Sequence, residues 1–141
     1  MNVIQFDQEL QSLLTEIPVI KGYVRVVDDK QAANKLNDKR GIQLVAVLPS
    51  YSAEGRAGMK SDSYTTLFWV IEKGDPSQTE AKELDQYRRC EEAIHQLKDI
   101  LIENQEDGCS PFWRLEIGSI VIEPEYNAFG GWNGYFMSVT Y

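Results

Sequence analysis

A single histidine, His95, and two cysteines, Cys90 and Cys109, are all that the 141 residues offer to chemistries built on those side chains. A Ser-His-Asp or Cys-His site would have to use His95, and no serine stands in a nucleophile-elbow motif. His95 falls mid-helix between Ile94 and Gln96, where a half-buried or surface role is the ordinary outcome. Zinc wants several nitrogen or sulfur ligands, and the cysteines fit no metal spacing. Cys90 lies on an apolar helical stripe, as buried free thiols commonly do, and a Cys90–Cys109 disulfide is not expected in a reducing compartment. A phosphate-binding loop is missing as well. Gly55-Arg56-Ala57-Gly58-Met59-Lys60 has glycines and cations but neither the motif spacing nor a following helix. No apolar run reaches membrane length, and Met1-Asn2-Val3-Ile4-Gln5-Phe6-Asp7 lacks the basic region of a signal peptide. The expectation is a protein made in the cytoplasm, with no catalytic residues, cofactor or metal.

Positive charge is also scarce. Fourteen Lys and Arg stand against 22 Asp and Glu, a net charge of −8. A nucleic-acid or anionic-membrane partner calls for a basic stripe, and none is visible, so neither is expected. The densest acidic pairs, Asp28-Asp29, Glu91-Glu92 and Glu123 with Glu125, read as loop starts or solvated faces. Neighbouring acids on a helix point in different directions and do not form a site by adjacency.

What is present is a foldable core. Hydrophobic residues make up 43% of the chain and aromatics 11%, too much for disorder and ordinary for one domain of this length. The strongest signal is a long helix over residues 77–105. Leu84, Tyr87, Cys90, Ile94, Leu97 and Leu101 recur at helical spacing, while Glu83, Gln86, Glu92, Gln96, Asp99 and Glu103 occupy the other side. Its start is signalled twice, by Asp75 before Pro76 and by a Ser77/Glu80 capping box. Such a helix is about 40 Å long, enough to brace a small sheet.

A first helix is expected over residues 3–17, with Asn2 as cap, a stripe of Ile4, Leu10, Leu13, Leu14 and Ile17, and Pro18 as its stop. A strand follows at residues 23–27, and the polar segment 28–40 reads mostly as connection, with room for one helical turn at Ala32-Ala33-Asn34-Lys35-Leu36. Residues 41–48 and 64–72 are strands with apolar residues on both faces, hence central ones. The linker 50–63, rich in glycine, alanine and serine, is too long for a tight turn and predicts a mobile arm, with Gly55, Arg56, Gly58, Met59 and Lys60 at its middle. After the long helix, residues 112–117 and 119–123 are expected to be extended up to Pro124. An aromatic-glycine loop fills 126–134, and a last strand runs over 132–141. These elements predict an α+β fold: an antiparallel or mixed sheet of about five to six strands packed against an N-terminal helix and one long central helix, a single domain over residues 1–141.

Two surfaces invite a functional reading: the arm, and the aromatic set Tyr126, Phe129, Trp132 and Tyr135. Aromatics of this kind stack on ligands, but they equally fill sheet ends and subunit contacts. In layout the chain resembles phage tail-terminator and tail-completion proteins. The corresponding stretches are Gln43-Leu44-Val45-Ala46-Val47, the linker 50–63, Thr66-Leu67-Phe68-Trp69-Val70, Glu83-Leu84-Asp85 and Gly134-Tyr135-Phe136-Met137-Ser138-Val139-Thr140-Tyr141. The chain departs from that layout in its polar segment 28–40 and its Phe129-Gly130-Gly131-Trp132 turn. The resemblance implies a non-catalytic homo-oligomer, commonly a hexameric ring, that caps the tail tube and meets the head connector in a virion or prophage tail. The alternative is a cytoplasmic binding or adaptor module that uses the loop 126–135.

Overall fold

The computed structural model, which describes residues 2–141, opens on a reciprocal cap. Gln5 N donates to Asn2 Oδ1 at 2.9 Å and Asn2 N donates to Gln5 Oε1 at 3.0 Å, satisfying two amides that helix geometry leaves free at the start of α1 (Val3–Leu14). The buried stripe is Phe6, Leu10 and Leu13, continued by Ile17 beyond the helix end. Ile4, expected inside, is instead exposed, because Phe6 takes the inward position of the first turn.

The next segment corrects the expectation of a connection. β1 (Ile20–Val26) runs into α2 (Asp29–Leu36) and then into β2 (Ile42–Val47), which lies parallel to β1. Parallel neighbours need a crossover, and α2 supplies it. Asp28 caps it by accepting from Gln31 N at 3.0 Å. Only Ala32 and Leu36, four residues apart, are buried, and those two contacts suffice to hold an otherwise polar helix on the sheet.

The linker 50–63 is likewise not a loop. β3 (Ser50–Arg56) and β4 (Met59–Lys73) form one antiparallel hairpin, joined through Ala57 and Gly58 and paired from Arg56↔Met59 to Ser50↔Thr65. β4 is thus far longer than expected. Its second half joins β2 on one side and β6 (Trp132–Thr140) on the other. Between β2 and β3 the pairing slips. Ala46 faces Phe68 and Ser50 faces Thr65, so four steps on one strand match three on the other, a bulge at residues 47–49. There Leu48 N donates to Val26 O at 2.9 Å and Thr66 Oγ1 donates to Val47 O at 2.6 Å.

α3 (Glu80–Gln105) is the expected long helix, but Thr79 caps it by accepting from Lys82 N, while Asp75 closes a local turn with Ser77. Cys90, Ala93, Ile94, Leu97 and Leu101 are buried and Leu84 is exposed. Gln86, assigned to the outer side, is buried. Its Nε2 donates to Glu72 Oε1 at 3.1 Å and Lys73 O at 3.0 Å, and its Oε1 accepts from Asn133 Nδ2 at 3.2 Å. Residues 112–117, expected as strand, are turns leading to one 3-10 turn at Ile117–Ser119. β5 (Val121–Ala128) runs through Pro124, which costs the sheet nothing because β5 is its outermost strand. The loop 126–134 is therefore strand, tight turn and strand.

The result is α+β, with three helices and one mixed six-stranded sheet in the order β1-β2-β4-β6-β5, β3 flanking β4. α1 and α3 cover one face over Leu44, Ala46, Phe68, Val70, Met137 and Val139. α2 covers part of the other over Val24, Val26, Val45, Trp69 and Trp132. Both central strands, β2 and β4, have apolar side chains on both faces, as expected.

Candidate functional site

The feature that no packing requirement explains is the outer half of the β3–β4 hairpin. β3 bonds only to β4, and every one of its residues is exposed. On β4's other flank, pairing with β6 begins at Thr65, and Tyr64 exchanges N–H···O bonds with Tyr141 at 2.8 and 2.9 Å. Beyond that point residues 59–63 bond to β3 alone among the described residues. The hairpin therefore leaves the sheet as a two-stranded ribbon, about 20 Å long, with two bare edges.

All five arm residues singled out from sequence gather at its tip. Gly58 occupies the turn with φ +86°. Gly55 pairs with Lys60 at φ +98°, and a Cβ there would meet Met59 O at 2.2 Å, so only glycine fits. Arg56 and Met59 face each other across the strands, and Met59 is 78% exposed. Neither Arg56 nor Lys60 has an ion-pair partner among the described residues. The last turn of the ribbon thus carries two cations and an exposed methionine, with Arg56 and Lys60 on opposite faces and Glu54 and Asp62 two residues behind them.

The ribbon's root is held by aromatic rings that the sequence reading did not connect. Tyr51 meets Tyr64 at 5.8 Å between centroids, and Tyr64 stacks on Tyr141 at 5.6 Å. Tyr141 meets Phe112 at 4.9 Å, Phe112 meets Phe6 at 6.2 Å and Phe6 meets Phe68 at 6.5 Å. The line runs from the exposed ribbon into the core, each contact contributing about 0.5–1.5 kcal/mol beyond burial. A signal for it existed: Tyr51 and Tyr64 are equidistant from Ala57-Gly58, as partners in a two-residue hairpin must be.

Under the root lies a cleft of about 680 Å³ lined by Gln5, Glu9, Lys60, Tyr64, Trp113 and Arg114 among others. Its charges are mixed, and Cys109 and Ser110 line it together with Glu9. Burial and the nearby carboxylates of Asp107 and Glu16 push Glu9 above the usual carboxylate range. His95 lies outside the cleft, with Nδ1 3.3 Å from Lys98 Nζ. Among the described residues no group of three His, Cys, Asp or Glu is placed to hold a metal, and no helix is long and apolar enough to cross a membrane. Both cysteines are free, Cys90 buried and Cys109 exposed, and burial pushes the Cys90 thiol up to about 12.

The aromatic set is not one surface. Trp132 is buried, and Phe129, held at φ +49°, packs edge-on against Trp69 at 5.1 Å on the α2 side. Tyr135 lies on the α3 side, 6.2 Å from Tyr87, and its hydroxyl donates to Glu91 Oε2 at 2.9 Å. Tyr126 is 74% exposed and lies close enough to Tyr87 to perturb its hydroxyl, so it belongs with that side. β-strand alternation, followed by the turn at residues 129–131, sends the four rings to opposite faces. Compared with known protein families, with curated proteins and with solved structures, the chain matches none.

Proposed function

We propose that this chain is a non-catalytic assembly protein that forms a closed homo-oligomer through its β3–β4 ribbon, of the kind that terminates or completes a phage or prophage tail. On this reading it is made in the cytoplasm and takes its place between tail tube and head connector. One observation carries the reading: a projecting ribbon whose residues are exposed along the whole of β3 and whose edges are bare. An isolated two-stranded ribbon is only marginally stable in water. Exposed edges are ordinarily blunted unless they serve pairing, and here the aromatic line holds the ribbon out from the sheet.

Light scattering across a range of protein concentration tests it. The full chain is expected to reach a ring-sized mass. Deletion of residues 53–59 is expected to leave the thermal transition nearly unchanged and the protein monomeric. Oligomers that survive the deletion, or a full chain that is monomeric at every concentration with and without tube protein, overturn the proposal.

A further inference from the structure

The tip and its complement sit at opposite ends of the molecule. α3 and β5 form an uncovered face at the sheet end away from the ribbon. On α3, Glu80, Glu83, Leu84, Tyr87 and Glu91 follow at helical spacing along one side. Tyr87 Oη donates to Glu125 O at 2.8 Å, and Tyr135 donates to Glu91, which fixes this stripe against the edge of β5 and β6. Leu84 is 73% exposed, and the exposed Tyr126 follows Glu125, whose carbonyl Tyr87 bonds. Glu80, Glu83 and Glu91 have no ion-pair partner among the described residues.

Resting on the assembly reading above, we infer that the ribbon tip of one copy docks on this Leu84–Tyr126 face of a second copy. The match is in charge and in apolar content: Arg56 and Lys60 flank Met59 from the two faces of the tip, beyond Glu54 and Asp62, and meet Glu80, Glu83 and Glu91 around Leu84 and Tyr126. Two other exposed apolar patches match less well. Val3, Ile4 and Val27 border a groove walled by Arg25, Lys35 and Asp7, and Asp7 is already paired with Arg25 at 3.2 Å, which leaves no free acid for a cationic tip. Trp113 carries Arg114 against its ring and lies beneath the ribbon's own root.

The contact must be between copies. Glu125 pairs with Gly134, which pairs with Ile71 of β4, while the tip turns at Gly58. Thirteen strand positions separate Ile71 from Gly58, about 40 Å along one rigid strand. A tip cannot fold back on its own acidic face, so the contact joins unlike surfaces and propagates from copy to copy.

The test is charge exchange in the full chain, read by light scattering at low salt with thermal melts as a folding control. R56E/K60E and E83K/E91K are each expected to lose the oligomer, and the four substitutions together to restore at least half of it. Raising salt to 1 M is expected to dissociate the wild type, since exposed charge pairs are screened. Mass unchanged by E83K/E91K, with the fold intact, overturns this docking site. If R56E/K60E still dissociates the protein in that case, the assembly reading stands and the ribbon docks elsewhere. A wild type monomeric under all conditions, tube protein included, removes both. As a second readout, carbodiimide treatment of mixed light and heavy protein is expected to join Lys60 of one copy to Glu83 or Glu91 of another. Lys60 joined only to other carboxylates overturns the site even where the charge variants misfold.

Discussion

Glu72 is the side chain through which β4 is tied to α3. Arg89 Nη1 and Nη2 donate to its two oxygens at 2.7 and 2.9 Å, and Gln86 donates to one of them. The Arg89 hydrogen bonds hold its carboxyl below the usual carboxylate range against the opposing effect of burial. A carboxylate with a depressed folded-state value adds stability that is present above its unfolded value, near 4.3, and is lost as pH falls through the folded value. Glu9 acts with the opposite sign, since its raised value favours the folded state on acidification. Glu72→Gln is expected to destabilise by about 1–2 kcal/mol at pH 7 and to flatten the loss of stability below pH 4.5. Cys90 gives a clean readout: buried and poorly ionised, it should resist alkylation at pH 8 while Cys109 reacts at once. Protection of Cys90 that is the same in Glu72→Gln as in wild type would show that the ion pair contributes nothing. Sequence alone concealed this centre. Gln86 is polar and follows Asp85, so pattern assigns it to solvent, and only the crossing of α3 over the ends of β4 and β6 turns it inward.

At the scale of elements, legibility followed hydrophobic contrast. β2 and β4 announce themselves because both of their faces are buried, and α3 because Cys90, Ile94, Leu97 and Leu101 keep one stripe. β3 has no contrast to read: all of it is exposed, so it carries no period-2 signal, and its serines and glycines mimic a loop. α2 hides for a related reason, with two buried positions in eight residues. Pro124 misleads because its veto on strands applies to interior strands and not to an edge. The same scale yields a prediction about the ring line. Tyr141 Oη is buried with no hydrogen-bond partner among the described residues, so Tyr141→Phe is expected to be neutral or to stabilise by up to about 1 kcal/mol. Tyr64→Ala, which breaks the line at the ribbon's root, is expected to cost about 2–4 kcal/mol, read from denaturant midpoints. A destabilised Tyr141→Phe would mean that its hydroxyl has a partner in solution.

On the scale of the whole molecule, the sheet is a beam with unlike ends. One end carries a cationic tip, and the other an acidic face on a chain of net charge −8. A molecule built this way repels its copies in most orientations and tolerates the one that brings tip to face, so charge sorts encounters before packing holds them. The tip was legible in the sequence as a candidate arm, but the acidic face was not, since only the folded chain brings Tyr87 of α3 onto Glu125 of β5. The bulge at residues 47–49 adds a separate property. Because β4 runs straight through while its partner gains one residue, deleting Pro49 would restore an unbroken ladder and leave every ribbon side chain on its present face. Only the bend would go. Direction and chemistry are thereby separable in this chain: the tip decides what is touched, and one inserted residue decides the angle. In a head-to-tail assembly that angle sets how many copies complete a circle, so the Pro49 deletion is expected to change the stoichiometry of the oligomer, seen by native mass spectrometry, while keeping its salt sensitivity.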